Sequence, residues 1–262
     1  MIHSTAIIHP KAQLDANVRI GPYAVIDEGV ELGPDCVVGP HVYLTGQTKI
    51  GAKNAFHAGC VIGDAPQDLK YKNEPTRLSI GDGNVFREHV TIHRSTKMDA
   101  ETVVGSNNFL MAGSHVGHNC IIGDHVIIAN GALLGGHVVV QDRVFISGNC
   151  LIHQFCRVGT LAMMQGGSGI SKDLPPFCVS LEENEMCGLN VVGLRRANIS
   201  AKDRAELKQL YRLLFRSDKN LSEVLPGARK NFSSAPAKML LEFLAHAKRG
   251  VCADVGHSTS EE

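Results

Sequence analysis

Charge of one sign is not in excess: lysine and arginine together number 26, as do aspartate and glutamate. No global field favours nucleic acid or an anionic membrane, so any basic partner site has to be local. Long hydrophobic runs are also missing, since no stretch approaches the ~20 apolar residues that span a bilayer. Met1 to Pro10 holds no charged segment followed by an apolar one, as an export signal would. The protein reads as cytoplasmic, with no transmembrane segment. Eight cysteines are present, but no paired metal spacing such as CxxC occurs, and disulfide frameworks belong to short secreted chains. Reduced thiols are the expected state. A chain of 262 residues can form one large domain or two smaller ones, so the division has to come from pattern.

What is there is a repeat. From Ile8, steps of six meet Leu14, Ile20, Ile26, Leu32, Val38, Leu44, Ile50, Phe56 and Ile62. The phase resumes at Ile80, Phe86 and Ile92, then runs from Val104 through Leu110, Val116, Ile122 and onward to Met164 and Ile170. Only Asp68 and Glu74 break it with polar residues, and Met98 is apolar but irregularly flanked. A hydrophobic content of 44% would fill fewer than half of these positions by chance. A period of six fits neither a helix nor a strand; it describes one short strand plus one turn, recurring. Three such sides make a triangular coil. Stacked at strand spacing, the coils predict a left-handed parallel β-helix about 43 Å long, its core a column of Ile, Leu and Val. Glycine often follows the apolar residue, as at Gly117 and Gly135, where the chain turns a corner. Two residues before the apolar position stand small or β-branched residues, among them Cys36, Cys60, Cys120, Cys150 and Cys156. Those thiols read as small hydrophobes in an inner niche, not as nucleophiles.

The pattern breaks at about 64–79 and 93–103. Polar excursions from a rigid solenoid commonly carry function. The period ends near residue 185, so the β-helix is assigned to 1–185 and a small helical C-terminal domain to 186–262, with a flexible tail from about 253. Ser200 with Asp203 resembles a capping box opening an amphipathic helix through Leu207, Leu210, Tyr211 and Leu214. A second helix is expected from about Pro236 to Lys248.

Thirteen histidines are many, and His115, His118, His137 and His153 fall near one corner of successive coils. A column of imidazoles outside a β-prism suits a metal site, a general-base site, or a polar edge covered by a neighbouring subunit. Residues 67–72 (Gln-Asp-Leu-Lys-Tyr-Lys) supply hydrogen-bonding and cationic groups suited to sugar hydroxyls and phosphates, as any surface loop can. Arg195-Arg196 can hold phosphate or be a solvated pair at a domain junction. Asn107-Asn108 and Asp82-Gly83-Asn84 sit at coil turns and need no functional account.

Several ordered motifs carry a resemblance. They are Gln67-Asp68-Leu69-Lys70-Tyr71 with Glu74-Pro75-Thr76-Arg77, Thr91-Ile92-His93-Arg94, His115-Val116-Gly117-His118, Gly136-His137-Val138, His153-Gln154-Phe155-Cys156 and Gly193-Leu194-Arg195-Arg196. With the hexads, the chain resembles the UDP-N-acetylglucosamine 3-O-acyltransferases, which open lipid A synthesis. The resemblance implies transfer of an (R)-3-hydroxyacyl group from acyl carrier protein to UDP-N-acetylglucosamine. It also implies a homotrimer with sites between neighbouring prisms, no metal, and no cofactor beyond the phosphopantetheine of the carrier. His118 would be the general base and the Gly136 N–H an oxyanion donor. Gln67, Asp68, His115, His137, His153 and Gln154 would line the sugar and acyl sites. Lys70 would face the phosphates, and Asn190 and Arg196 the nucleotide. Gly166 matches the acyl-chain ruler, which implies a long chain.

Two residues depart from the family pattern: Asn119 stands where an aspartate usually follows the base, and Val192 where a glutamate often stands. Val192 leaves open a 3-amino UDP-sugar as acceptor. The rival readings are an acetyl-CoA-dependent sugar acyltransferase of the same fold, a zinc hydratase resembling the γ-carbonic anhydrases, and a non-catalytic hexapeptide scaffold. An acidic carrier would find a basic dock near Arg204, Lys208, Arg212 and Arg216.

Overall fold

The structure, a computed structural model, describes residues 1–256. Each hexad forms a short strand and a turn, and the strands fall in rotation onto three parallel sheets. The first sheet has nine strands from Ile7–Ile8 to Gly169–Ile170, and the second has eight from Gln13–Leu14 to Arg157–Val158. The third has eleven, from Arg19–Ile20 through Met163–Met164 to three later strands, Cys178–Leu181, Glu185–Leu189 and Ala253–Asp254. Register is strict: Val116 pairs with Leu134 and Leu134 with Ile152, each eighteen residues on. The fold is the left-handed parallel β-helix expected from the repeat, followed by four helices.

The in-phase residues from Ile20 to Ile170 are all buried, whereas Met98 is half exposed. The five niche cysteines are completely buried, and no cysteine is in a disulfide. Burial pushes the Cys60 and Cys156 thiols up to about 11 and Cys120 to about 12. Cys120 Sγ donates to the Gly135 carbonyl at 3.1 Å, so it sits there protonated. Asparagine fills the same niche at 54, 84 and 108, a ladder the repeat did not predict. Asn54 Oδ1 accepts from Asn84 Nδ2 at 2.9 Å, and Asn84 Oδ1 accepts from the Asn108 N–H at 2.8 Å.

The expected boundary at 185/186 falls inside the strand Glu185–Leu189, which folds back antiparallel on Cys178–Leu181. Helical structure begins with α1 (Val191–Arg196), then α2 (Ala201–Phe215), α3 (Leu221–Asn231) and α4 (Ala235–Ala245). Ser200 caps α2 by accepting from the Asp203 N–H at 3.1 Å. The short α1 and Pro226-containing α3 gave too little helical pattern to be expected from sequence. A second core of Leu207, Leu210, Leu214, Leu240, Leu241 and Leu244 holds the helices together.

The tail expected to be flexible from 253 is ordered at its start: Ala253–Asp254 pairs parallel with Glu185 and Met186. Asp254 accepts from the Tyr211 hydroxyl at 2.8 Å and from Arg216 Nε at 2.6 Å, which ties strand to helix. The remainder of that expectation, 257–262, lies outside the described residues.

Cys187 alone among the eight cysteines is not fully buried. A thiol reagent should therefore label it first in the native protein, the other seven reacting only after denaturant is added; native labelling of Cys120 or Cys150 would contradict the packing.

Candidate active site

Both breaks in the repeat lie on one edge of the prism, where the chain passes from the first sheet to the second. The first insertion joins Val61–Asp64 to Arg77–Ile80, and the second joins Thr91–His93 to Glu101–Val104. The turn carrying His118 and Asn119 follows His115–Val116 on the same edge. Because coils stack eighteen residues apart, Gly136 lies above His118, and a Cβ added to it would come within 2.6 Å of the ring Cε1 and Nε2. Only glycine leaves the imidazole its place. Asn119, His137 and Phe155 form the next column, all with left-handed φ, at 59°, 62° and 67°. His118, His137 and His153, expected at one corner, thus occupy three adjacent columns. His118 and His137 still meet edge to face at 5.2 Å, and His137 stacks on the half-exposed Phe155 at 4.6 Å.

The His118 ring has one nitrogen engaged. Asn119 Oδ1 accepts from its Nδ1 at 2.8 Å. The same oxygen accepts from the Thr96 N–H and hydroxyl, at 3.0 and 2.9 Å, so it presents only acceptor character to the ring. In the neutral ring Nδ1 therefore carries the proton and Nε2 the lone pair, beside the Gly136 backbone. Among the described residues the Gly136 N–H has no protein acceptor. A free donor and a basic nitrogen together suit proton abstraction coupled to stabilisation of an oxyanion.

Three neighbouring imidazoles, His93, His115 and His137, resist protonation. Burial, with His93 and His118 beside it, pulls His115 down to about 4. Its Nδ1 shares a 2.7 Å hydrogen bond with the Thr91 hydroxyl. His93 is buried against His115 at 4.9 Å, and burial lowers it too, against the pull of Asp64. Burial also lowers His137, with His118 and Lys97 adding to the effect and Asp68 opposing it. His153 and Gln154 are exposed, and His153 Nδ1 lies 3.2 Å from the Gln154 carbonyl.

The first insertion returns over this edge. Asp68 Oδ1 accepts from the Lys70 N–H at 2.9 Å, while Gln67, Leu69 and Lys70 are exposed. Its far side is clamped by Arg94, which donates to the Tyr71 hydroxyl at 3.0 Å and to the Gly63 carbonyl at 2.8 Å. His93, Arg94, Ser95, Thr96 and Phe155 were not among the expected site residues. The second break in the repeat was the signal for four of them, and Phe155 lay within the motif His153-Gln154-Phe155-Cys156 without a role assigned to it.

The remaining expected residues lie elsewhere in this chain. Gly166 is at the edge between the third sheet and the first, where an added Cβ would meet only the Gly148 carbonyl at 3.7 Å. Asn190 caps α1: its Oδ1 accepts from the Gly193 N–H at 2.8 Å and its Nδ2 donates to the Leu161 carbonyl at 2.9 Å. That places it at the edge between the second and third sheets. Arg196 is exposed in the last turn of α1, and Val192 is 57% exposed. Of the basic residues expected to dock a carrier, Arg216 is instead bound to the buried carboxylate of Asp254. Among the described residues no three His, Cys, Asp or Glu side chains are placed to share a metal ion.

Comparison with known proteins gives this edge its context. Family models match "Udp N-acetylglucosamine O-acyltransferase; Domain 2" at residues 173–252 and "Bacterial transferase hexapeptide (six repeats)" at 5–46 and 101–136. The acyl-[acyl-carrier-protein]–UDP-N-acetylglucosamine O-acyltransferase of Syntrophobacter fumaroxidans is 45% identical over 95% of this chain and 98% of its own. That of Thermodesulfovibrio yellowstonii is 45% identical over 96% and 98%. The UDP-N-acetylglucosamine acyltransferase structure of Bacteroides fragilis superposes with a TM-score of 0.91 at 37% identity, covering 96% of this chain and 99% of that one. The Moraxella catarrhalis enzyme gives 0.91 at 36%, over 96% and 99%. The chain belongs to the acyl-[acyl-carrier-protein]–UDP-N-acetylglucosamine O-acyltransferase family.

Proposed function

We infer that this protein transfers an (R)-3-hydroxyacyl group from acyl carrier protein to the 3-hydroxyl of UDP-N-acetylglucosamine, the first step of lipid A biosynthesis. His118 is the general base in this reading, and the observation that carries it is its fixed tautomer, with Nε2 free beside Gly136. Nε2 takes the proton of the sugar hydroxyl as that oxygen attacks the thioester carbonyl carbon. The Gly136 N–H donates to the oxygen that becomes negative. As the carbon–sulfur bond breaks, the imidazolium returns the proton to the departing thiolate, leaving an O-acylated sugar and the free thiol of the carrier. No acyl-enzyme forms, in keeping with buried, protonated cysteines. The donor brings its own phosphopantetheine, and the reading calls on no other cofactor.

His115 and His137, made poorer bases by burial, offer hydrogen bonds to sugar hydroxyls without competing with His118 for the proton. Asp68 acts on His137, and Gln67, Lys70, His153 and Gln154 are exposed polar groups available to the same substrate. Gly166 supports the ruler reading, since neither its packing nor its backbone requires glycine and the space above it is open. A side chain there would shorten the groove. Asn190 and Arg196 on the nucleotide complete the reading. They and Gly166 lie on edges other than that of His118, which supports a homotrimer in which neighbouring prisms build each site. No described helix is long and apolar enough to cross a membrane, and a nucleotide-sugar acceptor with a carrier-bound donor fits the cytoplasm.

Transfer from 3-hydroxyacyl carrier protein to UDP-N-acetylglucosamine should fall about a hundredfold to ten-thousandfold in His118→Ala, the usual worth of a general base. Retention of activity would remove His118 from the chemistry. A 3-amino acceptor measured alongside tests Val192, and preferential use of the amine would overturn the hydroxyl reading. Gly166→Met should shift preference to shorter acyl chains with the sugar KM unchanged.

Stability should also depend on pH through His115. Its imidazole resists protonation in the fold down to about 4, whereas the unfolded chain takes up that proton near 6.5. The unfolded state therefore binds more protons across this window, and stability falls as pH drops from about 6.5 towards about 4. His115→Gln should flatten that fall in thermal unfolding curves; an unchanged slope would contradict it.

A further inference from the structure

The amide of Asn119 can present either an oxygen or a nitrogen to His118, and the surrounding chain decides which. The Thr96 backbone N–H can only donate, and it donates to Asn119 Oδ1 at 3.0 Å; the Thr96 hydroxyl donates to the same atom at 2.9 Å. At the other end Asn119 Nδ2 donates to Ser95 Oγ at 2.6 Å. That hydroxyl already gives its own proton to the Lys97 carbonyl at 3.1 Å, so what it offers Asn119 is a lone pair. Ser95 is fully buried and Asn119 is 8% exposed, so water is poorly placed to replace either contact. A half-turn of the amide would set its nitrogen against the Thr96 N–H and its oxygen against the Ser95 lone pair.

We propose that Ser95 and Thr96, in the second insertion, are positioning residues that lock the Asn119 amide with its oxygen toward His118 Nδ1. This holds the imidazole in the tautomer whose Nε2 faces the acceptor hydroxyl unprotonated. The inference rests on His118 being the base. A turned amide would donate to Nδ1, move the ring proton to Nε2, and leave the nitrogen nearest Gly136 unable to accept another. A carboxylate at 119 has two oxygens and no wrong end, so it would need no such lock.

Nitrogen-15 NMR of labelled histidine, combined with steady-state transfer kinetics, tests this. The wild type should show His118 Nε2 unprotonated and Nδ1 protonated. Ser95→Ala and Thr96→Val should each raise the Nε2–H share and lower kcat about tenfold, the scale of one neutral hydrogen bond, with the sugar KM within about twofold. In an Asn119→Asp background the same two substitutions should change kcat less than about twofold. Thr96→Val is close in shape to the original and keeps the test available if Ser95→Ala does not fold. An Nε2–H tautomer in the wild type would overturn the proposal. So would equal losses of kcat in the wild-type and Asn119→Asp backgrounds with the tautomer unmoved, since that is what a merely structural role predicts. If the tautomer moves and kcat does not, the lock stands and it is the role of His118 as base that falls.

Discussion

The parallel ladder that holds each coil in register on the last is the constraint on which everything else in this protein depends. In a helix bundle, one shifted residue rotates a side chain by about 100° and its neighbours can adapt. Here the backbone hydrogen bonds between coils fix the vertical neighbour of every residue. Gly136 is above His118 because the strands Leu133–Leu134 and His115–Val116 are in register, and a substitution at 136 acts on the ring below it. The same constraint stacks Asn119, His137 and Phe155 in one left-handed column, and so brings an imidazole onto a phenyl ring at an exposed edge.

A regular prism has identical edges, and chemistry requires that one become different. The two insertions achieve this by leaving the ladder on the same side, between the first sheet and the second. Each is fastened to the coils by hydrogen bonds the repeat does not itself provide. Arg94 bridges the Tyr71 hydroxyl and the Gly63 carbonyl, and Ser95 with Thr96 bonds both ends of Asn119. The coils therefore supply a rigid base and the insertions supply orientation. Burial at the same edge lowers the basicity of His93 and His115, so these imidazoles resist protonation beside His118.

The hexads made the fold legible because a buried column tolerates only apolar residues, and from Ile20 to Ile170 that column is unbroken apart from the insertions. The niche cysteines were readable for the same reason. The His118 edge was readable as a cluster, while the column of each ring was not, since His137 and His153 depart by one residue in opposite directions from the eighteen-residue step. The lock on Asn119 left no periodic trace, because Ser95 and Thr96 lie where the lattice is interrupted and spacing no longer reports position. The buried asparagines at 54, 84 and 108 break the rule of polarity, each side-chain oxygen accepting from the next coil while Asn108 Nδ2 is left without a partner among the described residues, so composition alone could not place them inside. The strand Ala253–Asp254 was hidden by its length: its order comes from pairing with Glu185 and Met186 and from Tyr211 and Arg216, 43 and 38 residues before Asp254.

Three edges of one prism cannot meet at a point. His118 is on the first-to-second edge, Gly166 on the third-to-first edge, and Asn190 is tied to Leu161 on the second-to-third edge. No motion of a single chain brings these together, since the ladder that aligns residues along an edge also holds the edges apart. The proposed site, which draws on all of them, would be assembled between copies, with the histidine edge of one prism facing another edge of its neighbour. The exposed apolar residues fit that arrangement. Leu133, Leu151 and Phe155 are each about half exposed on or beside the histidine edge, where a lone prism would leave them to water. Rigidity within the chain is one consequence of the repeat, and the proposed trimer would draw on the same regularity. The ladder fixes what each edge displays to a neighbouring copy.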